Sequence, residues 1–118
     1  MFTQTHGTWG ERLRTHRFEG GIVTILYLNP WQRCSWHSHK QTWNKFTVIT
    51  GEIGVKTEKG HTTHLSKKQT FTVEPGIKHE FQTYYEPAIV EEIAYVEFND
   101  NDIDREQTGG PLDKHEQA

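Results

Sequence analysis

The chain has 118 residues, 32% hydrophobic and 25% charged, with a formal net charge of −3 at pH 7, which supports one domain with one core and offers no basic stripe for nucleic acid. Its single cysteine, Cys34, excludes an internal disulfide and suggests a reducing compartment. No apolar run reaches membrane-spanning length, and the start "MFTQTHGTWGERLR" lacks the apolar core of a signal peptide, so a soluble cytoplasmic protein without membrane contact is expected.

Strand signals dominate along the chain. Residues 1–19 read as an N-terminal segment, an edge strand or one shared in a dimer. "GIVTILYLN" (21–29) is β-branched and aromatic and stops at Pro30, which cannot donate to a ladder. "KFTVITGEIGVKTEKGHTTHLS" reads as strand, Gly51, strand, a tight turn at "EKG", and strand. "QTFTVEPGIKHEFQT" gives a strand, a Pro75-Gly76 turn and a further strand. "AIVEEIAYVEF" (88–98) closes the series, its β-branched content favouring strand over helix. The main domain is therefore residues 20–98. In the polar tail 99–118, "NDIDRE" (101–106) suggests a short helical turn, and the Gly-Gly-Pro stretch should fray. Short strands punctuated every eight to twelve residues predict an all-β sandwich or barrel. Six Phe, four Tyr and four Trp supply large buried areas where leucine is scarce.

The chemistry concentrates in "WHSHKQTWNKF" (36–46). Residues two apart on a strand share a face, so His37 and His39 project together, the geometry two imidazoles need to hold one ion. If the chain turns through "KQTW" and re-enters a strand, Asn44 could meet them. A third ligand must come from another strand, and His79 stands just after a Pro-Gly turn that could fix its orientation. Asn44 is either a direct ligand, a water-bridged neighbour or a structural residue, because an amide oxygen is a weaker donor than a carboxylate.

The spacing resembles that of the cupins. Their first motif is His-x-His, three or four residues, Glu, six residues, Gly; here it reads His37, Ser38, His39, four residues, Asn44, six residues, Gly51. Their second motif, Pro-x-Gly-x-x-His, is matched by "EPGIKH" with Gly76 and His79 in place and Pro75 one position late. Asn44 stands where the glutamate belongs, Trp31 and Lys68 where turn glycines belong, Glu74 at a proline and Thr83 at a closing asparagine. The resemblance implies an all-β fold, the cupin double-stranded β-helix or jelly-roll barrel. It also implies one divalent metal ion (zinc, manganese, iron or nickel) on His37, His39 and His79, with Asn44 as the altered fourth position.

The ends are similar to the type II mannose-6-phosphate isomerase cupins. "HGTWGERLR" precedes a strand, and "VEEIAYVEFNDNDIDRE" carries Glu92, Asp102, Ile103 and Arg105 at matching places, with Ala94 for a glutamine. Glu92 is either a charge on a solvated face or, if its parity is inward, an acid beside the metal and a candidate catalytic base. Phe46 and Phe81 share parity with Asn44 and His79 and could wall the cavity; with Arg105 they are the candidate substrate-binding residues. Cys34 falls on the opposite parity from His37 and His39 and should pack outside the metal face. His61 and His64 flank the predicted hairpin in solvent, and His6, His16 and His115 read as surface residues.

Three neutral imidazoles leave the full +2 charge of an ion uncompensated, which favours an anionic ligand and lowers the pKa of bound water. Three functions follow. The first is a metal-dependent enzyme that isomerises or epimerises a small sugar or sugar-phosphate-like hydroxy-carbonyl compound. The second is a three-histidine Fe(II) dioxygenase, and the third a non-catalytic small-molecule-binding cupin. By resemblance, small cupins commonly pair sheets or exchange terminal strands, so a homodimer is expected, with the segment around Trp9 crossing over.

Overall fold

The computed structural model describes residues 3–107 and 109–112. Two antiparallel sheets face each other around the core. The first sheet has the order β1-β2-β3-β11-β6-β9, formed by β1 (Thr3–Gly7), β2 (Gly10–Phe18), β3 (Gly21–Leu28), β11 (Ala88–Tyr95), β6 (Trp43–Thr50) and β9 (Thr70–Val73). In the second, β10 (His79–Thr83) is central. One of its edges pairs with β4 (Gln32–Arg33) and β5 (Trp36–Ser38), the other with β7 (Glu52–Thr57), which carries β8 (Thr62–Ser66). β12 (Asp104–Gln107) and β13 (Gly110–Pro111) add to β5 and β4.

Alternation explains the layering. In β6, Asn44, Phe46 and Val48 are buried while Lys45 is exposed and Thr47 half-buried. Leu26 and Leu28 of β3, Val90 of β11, Ile53 and Val55 of β7, and Phe81 of β10 complete the core. Phe46, fully buried, meets Phe81 edge-on at 4.2 Å between centroids; burying such a side chain contributes about 1.5–3 kcal/mol. The aromatic pair thus joins the sheets just beneath the open end where the histidines lie.

The C-terminal segment departs from expectation. One turn forms, closed by Asp102 N–H donating to Asn99 O at 2.9 Å, but it does not extend to 106: from Asp104 the chain runs as β12 beside β5. The open ladder edge of β5 outweighs the helix-friendly acidic residues. The Gly-Gly-Pro stretch does not fray at its start either, since β13 pairs with β4 and Leu112 is buried. His115 and residues 113–118 lie outside the described residues, as does the His6 side chain. His16, His61 and His64 are exposed as expected. Trp9 lies between β1 and β2, which pair within the chain, and packs against the core. Among the described residues no helix is long and apolar enough to cross a membrane.

The two positions that should be glycine keep glycine's backbone. Trp31 has φ 54° and Lys68 φ 74°, left-handed values that L side chains adopt at a cost of about 1–2 kcal/mol. Trp31 is offset by edge contacts with Tyr84 and Tyr85, whereas Lys68 is exposed. Gly51, at φ 82°, is different: a Cβ there would come within 2.5 Å of Pro87 O. Lys68→Gly should therefore raise stability by up to about 1 kcal/mol, and Gly51→Ala should lower it by about 1–3 kcal/mol. Urea melts read both; a loss in the first variant would show that Lys68 makes a compensating contact.

Candidate metal centre

His37 on β5 and His79 on β10 are direct cross-strand partners, and their ring centroids are 4.4 Å apart. His39 lies one residue past β5, its ring 5.0 Å from His37 and 5.6 Å from His79. One candidate ligand atom from each of the three lies within 4.8 Å of the others, so the group could hold a metal ion.

Each ring is oriented through its other nitrogen. His37 Nδ1 lies 2.8 Å from Ser35 O, His39 Nδ1 2.6 Å from Asp102 O, and His79 Nδ1 3.0 Å from Ile77 O. A carbonyl can only accept, so Nδ1 of His39 and of His79 carries the hydrogen, which presents their Nε2 lone pairs to the site; Nδ1 of His37 also lies 2.8 Å from Ser35 Oγ, a hydroxyl able to donate or accept. Nε2 of His39 and of His79 is buried without a hydrogen-bond partner, as is Oδ1 of Asn44. Burial first, then the facing His79 and His39, pushes His37 down to about 3; burial holds His79 down to about 4 and lowers His39. The rings are therefore neutral at neutral pH, as ligands must be. Neutral, oriented donors with orphaned tips fit a divalent ion.

Asn44, 2% exposed on β6, donates through Nδ2 to Glu92 Oε2 at 3.1 Å, which leaves Oδ1 as its unpartnered atom. Glu92 faces inward on β11, opposite Phe46 and Thr24. Burial raises its proton affinity, although Arg12, Arg14 and Asn44 act in the other direction. A cavity of about 470 Å³ opens here, and its wall includes His37, His39, Asn44, Glu92, Phe81 and Arg105. Arg105 is the cross-strand partner of His37 in the β12–β5 ladder and is largely exposed. Phe46, expected to wall the cavity, lies fully buried beneath Phe81 and 6.1 Å from the His79 ring; it supports the site from below.

Cys34 also lines this cavity, contrary to the parity expectation. Arg33 pairs with Gln82 and His37 with His79, so the three residues between them on one strand face two on the other. That extra residue is a bulge, and it re-aims the intervening side chains. Burial, with Glu92 and Glu80 adding, pushes the Cys34 thiol up to about 12.

The sequence reading matched Asp102 only by position. Its carboxylate accepts Lys40 N–H at 2.7 Å, Gln41 N–H at 2.9 Å, and both Thr42 N–H and Oγ1–H at 3.1 Å, while its carbonyl takes His39 Nδ1–H. Burial opposes its ionisation, but these donors outweigh it and hold the carboxyl below its usual range. Asp102 thus fastens the loop that carries His39. Gly76 N–H donates to His39 O at 2.7 Å, tying the same loop to the turn before His79. Arg12 and Arg14 on the cavity wall also went unnoticed; their signal was an inward parity opposite Leu26 and Thr24.

No protein-family model and no curated protein sequence matches the chain. Solved structures do. A Klebsiella pneumoniae protein with a double-stranded β-helix domain is 23% identical, covering 80% of this chain and 81% of that one, with TM-score 0.69. Streptomyces PAC13, solved as a variant with uridine, is 9% identical over 98% and 90%, with TM-score 0.76. The capsular polysaccharide assembling protein CapF from Staphylococcus aureus is 14% identical, covering 95% of this chain but 34% of its own, with TM-score 0.76. The chain has the cupin double-stranded β-helix fold.

Asp102→Asn replaces one of the two oxygens that share four donors, and removes the charge, without touching a histidine. Zinc affinity, measured by chelator competition, should fall about tenfold or more. Equal affinity in the two proteins would mean that the loop holds His39 without Asp102.

Proposed function

We propose that the chain is a metal-dependent enzyme acting on a small sugar-like hydroxy-carbonyl compound, with isomerisation as its reaction. The observation that carries this reading is an inward-facing carboxylate, Glu92, sharing one cavity with His37 and His39, whose candidate ligand atoms lie within 4.8 Å of each other and of that of His79. A divalent ion held there, zinc, manganese, iron or nickel, would supply Lewis-acid polarisation of the substrate carbonyl. Glu92 takes a proton from the hydroxyl-bearing carbon beside that carbonyl and returns it to the former carbonyl carbon, the hydroxyl proton passing to the former carbonyl oxygen, and its raised proton affinity suits both halves of that exchange. Asn44 holds Glu92 in place by its 3.1 Å hydrogen bond. Phe81 and Arg105 contact the substrate from the opposite sheet. The terminal likeness to type II mannose-6-phosphate isomerase cupins supports a sugar as substrate. A reducing, cytoplasmic setting belongs to the same reading.

The test is solvent deuterium uptake at the carbon beside the carbonyl, followed by NMR with a panel of aldoses and ketoses. Wild-type protein loaded with each metal should catalyse exchange with at least one sugar. Glu92→Gln should slow it by about 10²–10⁴-fold while bound metal stays constant. Undiminished exchange in the variant would remove Glu92 from the reaction. Oxygen consumption specific to iron would replace this reading with the dioxygenase, and binding without exchange would replace it with a non-catalytic binder.

A homodimer is part of the proposal. β1 ends the first sheet with an unpaired edge among the described residues, a ready template for a second copy. Light scattering should give twice the 13.8 kDa of the chain; the monomer mass at working concentration would refute it.

A further inference from the structure

Arg12 and Arg14 are placed where the fold itself would want apolar side chains. In β2 they stand opposite Leu26 and Thr24, which are 5% and 2% exposed on the inner face of β3, so both guanidinium groups project into the barrel. Burying like charges together is costly unless counter-charge meets them. The cavity wall carries Arg12, Arg14 and Arg105 against Glu92, Asp100 and Asp102. Asp102 is taken up by the backbone and hydroxyl donors of residues 40–42. Asp100 pairs with Arg14 at 2.7 Å, but its side chain is 57% exposed, where solvent screens the attraction. The wall thus gathers guanidinium groups around one inward carboxylate, Glu92, and a metal ion would add two further positive charges. Arg14 is fixed in place: it also lies over the Phe98 ring at 5.3 Å, and its Nε is buried without a hydrogen-bond partner.

The arrangement has a length as well as a sign. β2 is separated from β6, which carries Asn44, by β3 and β11. Three strand spacings put about 14 Å between those backbones. An extended arginine and a compound of several carbons bridge that gap together.

We propose that Arg12 and Arg14, with Arg105 on the facing sheet, bind an anionic end of the substrate, a carboxylate or a phosphate, while its carbonyl end faces the three histidines. Guanidinium groups match both anions with paired, directional donors. The inference rests on the cavity being the substrate site and names the substrate class: acidic sugars or sugar phosphates over neutral sugars.

The full chain loaded with zinc is titrated by calorimetry with acetate and with inorganic phosphate at low ionic strength, alongside R12Q/R14Q, R12K/R14K and R17Q. Arg17 lies over the same Phe98 ring at 5.5 Å but outside the cavity wall. At least one anion should bind wild-type protein, and whichever binds tighter identifies the acid. R12Q/R14Q should weaken that binding at least tenfold, R12K/R14K should weaken it less, and R17Q should leave it unchanged. If the glutamine pair fails to fold, as seen by its melt, the lysine pair carries the comparison. No binding of either anion, or binding indifferent to both arginine pairs, overturns the proposal. The zinc content of the same samples reports separately on the metal reading, and deuterium exchange on the reaction, so the failures are distinguishable.

Discussion

The register between β5 and β10 governs the site. His37 and His79 are directly opposed in that ladder, and only because of this do their rings meet over the barrel mouth. A slip of one residue would turn one ring to the other face of the sheet. The bulge between β4 and β5 fixes the register from one side by pinning Arg33 to Gln82. Asp102 and Gly76 fix it from the other by holding the loop at His39. The core beneath, with Phe46 against Phe81, keeps the two sheets at the spacing this convergence needs.

Electrostatics divides the cavity into two ends. At the histidine end every donor is neutral, held so by burial. At the other end charge is dense, with Glu92 the carboxylate between Asn44 and the arginines. A neutral amide at position 44 lets Glu92 accept a hydrogen bond there; a carboxylate in its place would repel Glu92. The change from the acidic residue of the cupin pattern is thus coupled to a second acid one strand away. The two positions together keep one carboxylate on the cavity wall, carried by Glu92 and not by residue 44.

Much of this was legible in the amino-acid order. The His-x-His pair, the six-residue step to Gly51 and the Pro75-Gly76 turn before His79 report directly on strand parity and turn geometry, so the fold and the three imidazoles could be placed. Trp31 and Lys68 show that the backbone demand at a turn outlasts the residue type that usually meets it. What escaped depended on long-range pairing. Cys34 was assigned outward because a bulge leaves no mark in local alternation. Nothing beside "NDIDRE" signals β12, because the edge it pairs with is more than sixty residues away. Arg12 and Arg14 carry no local mark of their inward face, since polarity alone favours water.

Asp102 lies 63 residues from His39 in the chain, and that separation orders the site in time. Closing such a loop is slow and entropically unfavourable until both sheets are in place. During synthesis the paired histidines of β5 emerge early, yet nothing holds the His39 ring until the last strands have docked. An ion meeting the unfinished chain finds flexible imidazoles and binds weakly; the completed barrel offers three that are already aimed. Metal loading would therefore belong to the end of folding, and an ion held there would act as a lock on the finished topology more than as a seed for it.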